Sequence, residues 1–317
     1  MTGPSLLFAC LLDVWLGDPR WFPHPVRLMG RCIAWYEAAV RRVMTQPAWL
    51  RAAGVALAVG LPIGVWAVGW GLITLAGLAH PMAGTGMEVL LAYTTLAARD
   101  LADHAGAVLR ALRGGRLEEA RAAVSQIVGR ETGSLSEAEV VRATVETVAE
   151  SAADGVIAPL CFLAVGGAPL GLAFKAVSTL DSMVGHRDER YRDFGWASAR
   201  LDDLANWVPA RLTAGLLVLA GWAVAWRIAV VRRAWHVVMR DAGKHESPNS
   251  GWPEAAMAGV LHVQLGGRNV YDGTVIERPR LGEAGLPLEA DHIRRALVLM
   301  VTASILAVGL AVAVGLA

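Results

Sequence analysis

The sequence contains few charged residues. Asp, Glu, Lys and Arg make up 18% of its 317 residues, whereas soluble domains carry about 25%. The two signs nearly cancel, giving a formal net charge of +1, so no general electrostatic attraction to nucleic acid is expected. Hydrophobic residues reach 55%, and the mean hydropathy is +0.45. This composition argues against an ordinary soluble domain and indicates a membrane protein.

Cysteine and nucleotide-binding motifs are also scarce. The three cysteines, Cys10, Cys32 and Cys161, form no CxxC pair, so neither a zinc site nor a disulfide framework is indicated. The sequence lacks GxxxxGK[ST], which excludes a P-loop enzyme. Tryptophan, in contrast, is abundant: most of the twelve tryptophans flank apolar runs, a position typical of anchoring at the membrane interface.

Long apolar runs predict the fold class. Residues 52–79 and 296–317 carry no charge and predict transmembrane helices, and residues 208–226 resemble them. Residues 3–17 are of borderline length, because a span needs about 20 residues. Residues 155–177 are interrupted by a proline and by GGAP, as in broken or re-entrant segments. We predict an all-α polytopic integral membrane protein with re-entrant or broken helices and cytoplasmic helical loops, forming one domain over residues 1–317.

Basic residues beside the apolar runs predict the orientation. The arginines within residues 41–51, 227–233 and 294–295 belong on the cytoplasmic side by the positive-inside rule. Two arrangements then remain for 155–177 and 208–226. Either both segments span and export residues 178–207, or neither spans simply; the nearly balanced charge of 178–207 does not distinguish them.

Three carboxylates are spaced four residues apart at Glu146, Glu150 and Asp154. On an α-helix this spacing places them on one face, along about 12 Å of the axis. Ser136 with Glu139 predicts a capping box at the start of this helix, and Gly155 predicts its end. A solvated helix face is the plain alternative. Because an apolar segment follows directly, a Mg²⁺ ion or a cationic partner explains the acidic row better.

A proline-rich loop at residues 13–31 carries a second polar cluster. Its three prolines predict a rigid, non-helical loop. The candidate site residues on it are Asp18, Arg20, His24 and Arg27. The loop is therefore predicted to form part of a site, although its tryptophans would also suit a membrane-surface anchor.

Two further polar clusters follow. Residues 174–212 contain Lys175, Asp181, His186, Arg187, Asp202 and Asn206, and residues 244–254 contain Lys244, His245, Ser247 and Asn249. Pro253 predicts a helix start, whose free backbone N–H groups suit a phosphate. Each cluster alone is a weak signal, because most such residues are structural. Together they combine candidate metal ligands with groups suited to phosphate.

Five stretches resemble one known family. They are DVWLGDPRWFPHPVRLMG (13–30), GRETGSLSEAEVVRATVETVAESAADGVIAPL (129–160), FKAVSTLDSMVGHRDERYRDFGWASARLDDLANWVPARL (174–212), SPNSGWPEAAMAGVL (247–261) and QLGGRNVYDGTVIERPRLG (264–282). In this order they resemble the adenosylcobinamide-phosphate synthase family, the membrane proteins CobD and CbiB of cobalamin biosynthesis. The resemblance covers most of the chain outside the variable apolar segments.

The resemblance implies a ligase that forms an amide bond. Such an enzyme would join adenosylcobyric acid to (R)-1-aminopropan-2-ol or its O-phosphate, using ATP and Mg²⁺. A carboxylate and an amine exist as a salt at neutral pH, so activation to an acyl phosphate is expected, with cations that neutralise the phosphoryl charge.

Under this interpretation the polar residues take three roles. The expected metal ligands are Glu146, Glu150, Asp154 and Asp181. The expected catalytic residues are His24, His186 and His245, as candidate bases, and Lys175. The expected substrate- and phosphate-binding residues are Asp18, Arg20, Arg27, Arg187, Asp202, Asn206, Lys244, Ser247 and Asn249.

The resemblance also implies a location and partners. We expect a multi-pass protein of the cell (inner) membrane, in contact with membrane lipid, with an active site facing the cytoplasm, where ATP is found. This expectation favours a re-entrant segment at 155–177. Other cobalamin-pathway enzymes are possible partners, an oligomer is possible, and nucleic acid is not expected. The alternative functions are a membrane transporter and a scaffold for corrinoid intermediates.

Overall fold

The computed structural model describes residues 1–19, 21, 23–186, 188–271 and 273–316, with side chains up to residue 313. The chain forms two compact units. The first unit comprises Met1–Ala97, Ala158–Asn206 and Val308–Ala317, and the second comprises Ala98–Ile157 and Trp207–Ala307. The single domain expected from the sequence stays a prediction.

Helices dominate the described residues. In chain order the helices and strands are α1 (Gly3–Leu16), α2 (Pro25–Val43), α3 (Pro47–Ala79), α4 (Pro81–Tyr93), α5 (Ala98–Arg113), α6 (Leu117–Val124), α7 (Glu137–Ala152), α8 (Ala158–Val184), α9 (Trp196–Ala205), α10 (Trp207–Ala225), α11 (Ile228–Asp241), α12 (Gly251–Leu261), β1 (Gln264–Tyr271), β2 (Thr274–Gly282) and α13 (Asp291–Leu316). A π-helical turn, Ala153–Ile157, links α7 to α8, and a 3₁₀ turn, Ala242–Lys244, follows α11.

Four helical segments are long and apolar enough to cross a membrane. They are Pro47–Ala79, Glu137–Val184, Trp207–Ala225 and Asp291–Ala313. They correspond to the four apolar segments predicted from the sequence, and the borderline segment forms the shorter apolar helix α1. The chain is a polytopic helical membrane protein, as predicted.

Helix α8 is broken in its middle. The backbone of Gly166 and Gly167 is not helical, and Gly167 has a φ of +65°. The rings of Phe162 and Phe174 stack with their centroids 4.7 Å apart, although a straight helix would separate residues twelve positions apart by about 18 Å. The chain therefore folds back at the two glycines, which confirms the predicted broken segment.

The first unit has a core formed by three helices and a loop. Ile33 of α2, Leu57 of α3, Leu180 of α8 and Phe194, which precedes α9, are buried against one another. Gly54 on α3 lies so close to the backbone of Phe194 that a Cβ atom would overlap its carbonyl oxygen. Glycine therefore allows the loop before α9 to approach α3.

Helix α7 begins as predicted and ends differently. Ser136 and Glu139 form a capping box, in which each side chain accepts a hydrogen bond from the other residue's backbone N–H. Gly155 does not end the helix. Instead the chain continues through the π-helical turn, which contains Asp154 and Gly155. Such turns add a residue to the helix and change the direction of the side chains that follow.

Helix α12 is the most deeply buried helix of the second unit, since Trp252 is its only residue that is not buried. Helices α7, α10 and α11 and the β1–β2 hairpin all contact it. Apart from Glu254, its residues are apolar or small, as a helix surrounded by protein requires. Any polar side chain at either end of α12 therefore has a protein environment.

The β1–β2 hairpin is an addition to the helical fold expected from the sequence. The strands are antiparallel, with Leu265 paired with Leu281 and Tyr271 with Thr274. A bulge lies between Leu265 and Gly267, and Gly266 has a φ of +80°, a conformation that glycine adopts readily. The bulge directs the backbone of Gly266 towards α7, where it contacts the acidic row.

Candidate functional site

Glu146, the first member of the acidic row, is enclosed by partners. Arg130 Nη2 donates a hydrogen bond of 2.5 Å to Oε2, and the backbone N–H of Gly266 donates one of 2.8 Å to Oε1. Arg142 Nη1 lies 3.7 Å from Oε1. Asn269 accepts hydrogen bonds from both arginines. Both oxygens of Glu146 are thus engaged in joining α7 to the hairpin.

Glu150, one turn further along α7, has a different environment. It meets His245, from the loop before α12, and Glu254, from the first turn of α12. One potential ligand atom from each of the three residues lies within 4.8 Å of the others. We call these three residues the acid–histidine cluster. It joins the predicted acidic helix to the predicted 244–254 loop.

Glu254 is the most unusual member of this cluster. It is 3% exposed, and its Oε1 atom has no hydrogen-bond partner among the described residues. His245 Nε2 lies 3.7 Å from this oxygen. Burial, and then the carboxylates of Glu150 and Glu146, raise the pKa of Glu254 well above its usual range. These surroundings favour the protonated acid, or a carboxylate that binds a cation in place of the proton.

His245 is fixed by its own loop. Its Nδ1 atom accepts a hydrogen bond of 3.0 Å from the backbone N–H of Ser247. In the neutral ring the hydrogen therefore lies on Nε2, the atom nearer to Glu254. Burial lowers the pKa of His245, and the charge of Glu150 opposes that shift. Nε2 faces the carboxylate of Glu254 at 3.7 Å, beyond hydrogen-bonding distance.

The loop that presents His245 is held by short-range hydrogen bonds. Ser247 Oγ accepts hydrogen bonds of 3.2 Å from the backbone N–H groups of Asn249 and Ser250. A Cβ atom at Gly251 would overlap the carbonyl oxygen of Ala242 and the side chain of His245. The sequence motif SPNSGWPE thus folds into a rigid turn that leads into α12. The hydroxyl of Ser247 helps to shape the turn and Asn249 is buried within it, while substrate binding by these two residues stays a prediction.

A small cavity lies beside Glu150. Its volume is about 120 Å³, and its walls include Gly129, Thr147, Glu150, Tyr271 and Arg278. The guanidinium of Arg278 lies 5.7 Å from the centroid of the Tyr271 ring. Burial lowers the pKa of Arg278, but the charges of Tyr271, Glu150, Glu254 and Glu146 outweigh burial and raise it. Arg278 thus supplies a positive charge next to the cluster.

Arg278 was not among the residues predicted from the sequence. The stretch containing it was recognised, but the strands were not. The dipeptide Asp272-Gly273, preceded by Val270 and Tyr271 and followed by Thr274, Val275 and Ile276, is a hairpin signal. With that signal, residues 264–282 could have been predicted to place Arg278 on a strand that packs against the buried helices. Glu254 was noted in its loop but not predicted to take part in the site.

Lys244 lies outside the acid–histidine cluster. Its Nζ atom donates a hydrogen bond of 2.6 Å to Asp241. Asp154, on the π-helical turn, is also not one of the three residues that converge. The predicted row of three carboxylates therefore divides into a paired residue, Glu146, a cluster residue, Glu150, and a residue on the following turn, Asp154.

In the first unit, the proline-rich loop brings Asp18 and His24 together. His24 Nε2 lies 3.3 Å from Asp18 Oδ1, and His24 is buried as the N-cap of α2, where its Nδ1 accepts from Val26 N–H. Arg27 donates a hydrogen bond to the carbonyl oxygen of Pro19, and Tyr93 donates one to that of Gly17. The predicted non-helical loop over residues 13–31 is wrong at both ends, because residues 13–16 belong to α1 and residues 25–31 belong to α2. Arg20 lies outside the described residues.

Asp181 and Asp202 are neighbours in the same unit. The side-chain amide of Asn206 donates a hydrogen bond of 3.0 Å to Asp202. Burial, and then the charge of Asp181, raise the pKa of Asp202 to about 7. Asn206 is buried, and its Oδ1 atom lacks a hydrogen-bond partner among the described residues. Two predicted substrate-binding residues and one predicted metal ligand are thus close together.

The remaining predicted residues of the first unit are more dispersed. His186 is exposed, and its ring lies 5.8 Å from that of Tyr191, measured between centroids. Lys175 is half-buried on the second part of α8 and has an interaction partner. Arg187 lies outside the described residues. Asp181 and the acid–histidine cluster belong to different units.

The fold and the cluster together define a class of protein: a polytopic helical membrane protein with a buried acid–histidine site. The family model described as CobD/Cbib protein matches residues 6–300. A cobalamin biosynthesis protein CobD from Geobacter metallireducens is 51% identical over 313 residues, covering 98% of this chain and 96% of that protein. The chain belongs to the CobD/CbiB family.

Two further relatives agree with this assignment. CobD from Klebsiella pneumoniae is 48% identical over 320 residues, covering 99% of this chain and 98% of its own. The cobalamin biosynthesis protein CbiB from Salmonella typhimurium is 45% identical over 320 residues, covering 99% of this chain and 97% of its own. No solved structure matches the chain.

Proposed function

We propose that this protein acts in cobalamin biosynthesis, as an ATP-dependent ligase that joins adenosylcobyric acid to (R)-1-aminopropan-2-ol or its O-phosphate. Relatives similar over nearly their full length are named cobalamin biosynthesis proteins, which supports the pathway. Support for the ligation comes from the acid–histidine cluster with Arg278. It places two carboxylates, a histidine and an arginine at one buried position.

The proposed reaction has two steps, formation of an acyl phosphate and then of the amide. In the first, an oxygen of the corrinoid carboxylate attacks the γ-phosphorus of ATP, and ADP leaves as the acyl phosphate forms. In the second, the amine nitrogen attacks the acyl carbon, phosphate leaves, and a base accepts one proton from nitrogen. Both steps concentrate negative charge on phosphoryl oxygens, so a site for them must supply positive charge.

The residues of the cluster fit a Mg²⁺ ion. Glu150 and Glu254 are hard oxygen donors, and Glu254 has a buried oxygen without a hydrogen-bond partner among the described residues. Mg²⁺ in nucleotide sites is usually held by one or two carboxylates together with phosphate oxygens and water. We assign Glu150 and Glu254 as the ligands; the bound ion would neutralise phosphoryl charge. Glu146 positions α7 against the hairpin, since both its oxygens already have partners.

The other side chains orient and balance charge. His245 carries a hydrogen on Nε2, and this atom lies 3.7 Å from Glu254 Oε1, so the ring faces the carboxylate that we assign to the ion. The guanidinium of Arg278 supplies a positive charge in addition to that of the metal ion. This assignment makes His245 a positioning residue, and leaves His24 and His186 as the predicted bases. Asp154 and Asp181 remain predicted metal ligands outside this cluster, and the substrate-binding residues predicted above keep their proposed roles.

We also propose that the protein lies in the cell (inner) membrane and that the acid–histidine cluster faces the cytoplasm. ATP is cytoplasmic, and the arginines at residues 227–233 and 294–295 belong on that side by the positive-inside rule. The fold-back of α8 is compatible with this orientation, because a re-entrant segment returns the chain to the side from which it entered.

The test is a coupling assay on the purified full-length protein in detergent. ADP release should require adenosylcobyric acid and an amine together, and amide product should appear in equal amount. Aminopropanol and its phosphate are compared as alternative amines. ADP release that does not depend on both substrates would contradict the ligase proposal and favour the transporter or scaffold. The absence of any ADP release would do the same.

A further inference from the structure

A cleft in the second unit is lined by none of the residues of the acid–histidine cluster. It has a volume of about 650 Å³ and lies where α10 ends and where α11 and α13 begin. Four arginines line it: Arg227, Arg233, Arg294 and Arg295. Its apolar lining includes Val224, Val260, Val298 and Leu299. We call this cleft the arginine groove.

Positive charge in the arginine groove is poorly balanced. Asp291 is the only acidic residue in its lining, and it accepts hydrogen bonds from Arg294, at 2.7 Å, and from Arg113, at 3.4 Å. Among the described residues, the guanidinium groups of Arg227 and Arg295 form no ion pair and donate no hydrogen bond. Like charges held this close favour a bound anion.

Arg233 adds to this excess of positive charge. Its Nε and Nη2 atoms donate to the carbonyl oxygens of Gly259 and Val260, at 2.8 and 3.0 Å. Burial, and then the charge of Arg295, lower the pKa of Arg233. Arg233 is therefore fixed by α12 rather than by an acidic partner, and its position beside Arg295 is electrostatically unfavourable unless an anion lies between them.

The groove also lies at the end of candidate membrane spans. The segment Trp207–Ala225 ends beside it, and Asp291–Ala313 begins beside it. Trp222 and Trp226 are exposed, with ring centroids 5.6 Å apart. Exposed tryptophans at the end of a span mark the membrane interface, the depth at which lipid phosphates are found.

We propose that the arginine groove binds the headgroup of an anionic glycerophospholipid. Arg227, Arg233 and Arg295 would hold the phosphate, while an acyl chain lies along Val224, Val298 and Leu299. Basic pockets between transmembrane helices on the cytoplasmic side are suited to such lipids. The apolar lining of the groove explains why a lipid fits better than a free phosphate.

A nucleotide bound for catalysis fits less well. Glu254 lies in the first turn of α12, whereas Leu261, at the other end, lines the arginine groove. Seven residues of helix separate these positions by about 10 Å. Phosphates in the groove would therefore not reach the carboxylates of the acid–histidine cluster, so the groove is a second anion site with its own ligand.

The test measures lipid binding by the full-length protein in detergent, using native mass spectrometry. Phosphatidylglycerol and phosphatidylcholine of matched chain length are titrated separately. We expect phosphatidylglycerol to bind selectively and the double variant Arg227→Gln/Arg295→Gln to weaken it at least about tenfold. Arg232→Gln is the matched control, because Arg232 is exposed on the same helix but does not line the groove; its effect should stay below about twofold.

Three outcomes would overturn the proposal. Equal losses in the double variant and in Arg232→Gln would indicate a general surface effect. Equal binding of the two lipids would remove the role of the headgroup charge. Displacement of phosphatidylglycerol by inorganic phosphate or Mg·ATP at millimolar concentration would identify a site for small anions. The test does not measure amide ligation. Failure of the lipid proposal can therefore be distinguished from failure of the ligase proposal.

Discussion

Two buried carboxylates of the second unit, Asp241 and Glu254, have opposite surroundings. Asp241 accepts hydrogen bonds of 2.8 Å from Arg240 Nε and Nη2, of 2.6 Å from Lys244, and of 2.8 Å from the backbone N–H of Gly282. Glu254, thirteen residues later, has an oxygen without a hydrogen-bond partner among the described residues, and faces a second carboxylate.

The ionisation of the two residues follows from their partners. Burial alone would raise the pKa of Asp241, but its hydrogen bonds hold the pKa well below the usual range. Burial and neighbouring carboxylates raise that of Glu254. Burial of a carboxylate therefore does not by itself indicate a functional site, whereas a buried carboxylate oxygen that lacks a hydrogen-bond partner does. Asp241 joins α11 to the hairpin, and Glu254 retains an unfavourable environment that a bound cation would relieve.

The largest expected effect is on stability, at Asp241. Asp241→Asn leaves Arg240 and Lys244 facing a neutral side chain. Removing one partner from a buried ion pair costs roughly 3–5 kcal/mol, and we expect about 3 kcal/mol, because both cationic partners are partly exposed to water. Thermal unfolding in detergent measures the loss.

Glu283→Gln is the control for that change. Glu283 pairs with the same Arg240 at 2.9 Å but is itself exposed, so its loss should cost less than about 1 kcal/mol. Equal destabilisation by the two variants would mean that the hydrogen bonds of Asp241 contribute no more than a surface ion pair.

The next effect is on catalysis, at Glu254 and Glu150. Glu254→Gln and Glu150→Gln should each lower kcat about 10²-fold or more and raise the Mg²⁺ concentration required. Unfolding of Glu254→Gln should occur at the same or a higher temperature, because a neutral amide suits the buried position. Coupled ADP release and thermal unfolding, measured together, separate the two effects.

Normal turnover in both variants would remove the cluster from the mechanism. Loss of folding in Glu254→Gln would make it a structural residue like Asp241, and the contrast between the two carboxylates would disappear.

Local features of the sequence were sufficient for much of the fold. The capping box at Ser136 and Glu139, the fold-back at residues 166–167 and the four apolar segments depend on neighbours a few residues apart, and the structure contains all of them. The hairpin was missed because residues 241–291 were interpreted only by their polarity. Its turn signal was present.

The site was less predictable, because its contacts connect distant residues. Glu146 and Glu150 differ only in what reaches them: Arg130 and Gly266 reach Glu146, whereas His245 and Glu254 reach Glu150. Nothing in the helix itself distinguishes the two carboxylates. The π-helical turn, which separates Asp154 from the row, also depends on packing and has no clear local signal.

The raised pKa of Asp202, in the first unit, allows the comparison of carboxylates to be tested by changing the pH. Its pKa is raised from 3.8 to about 7, so the folded protein retains a proton that the unfolded chain has released. Stability should therefore fall as pH rises from about 4 to about 7, and change little from this residue above that range. Asp202→Asn should stabilise the protein more at pH 8 than at pH 5, as measured by thermal unfolding.

An equal gain at both pH values, or a greater gain at pH 5, would contradict this expectation. It would show that an anion-stabilising partner reaches Asp202, as the partners of Asp241 do. The rule that burial and a neighbouring carboxylate together raise the pKa of a carboxyl group would then apply to Glu254 alone.

The smallest effect is expected at Glu139, which lies on the same helix as Glu150 but three turns earlier. Its Oε2 atom accepts hydrogen bonds of 2.8 and 2.7 Å from the backbone N–H and the hydroxyl group of Ser136. Glutamine can accept both bonds in a capping box, so Glu139→Gln should cost less than about 1 kcal/mol of stability and change turnover by less than about threefold. Assay of Glu139→Gln beside Glu150→Gln holds the charge change and the helix constant and varies only the surroundings of the carboxylate. If the two variants lost activity equally, the total negative charge of α7 would matter more than contact with His245 and Glu254. The distinction between partnered and unpartnered carboxylates would then no longer explain the site.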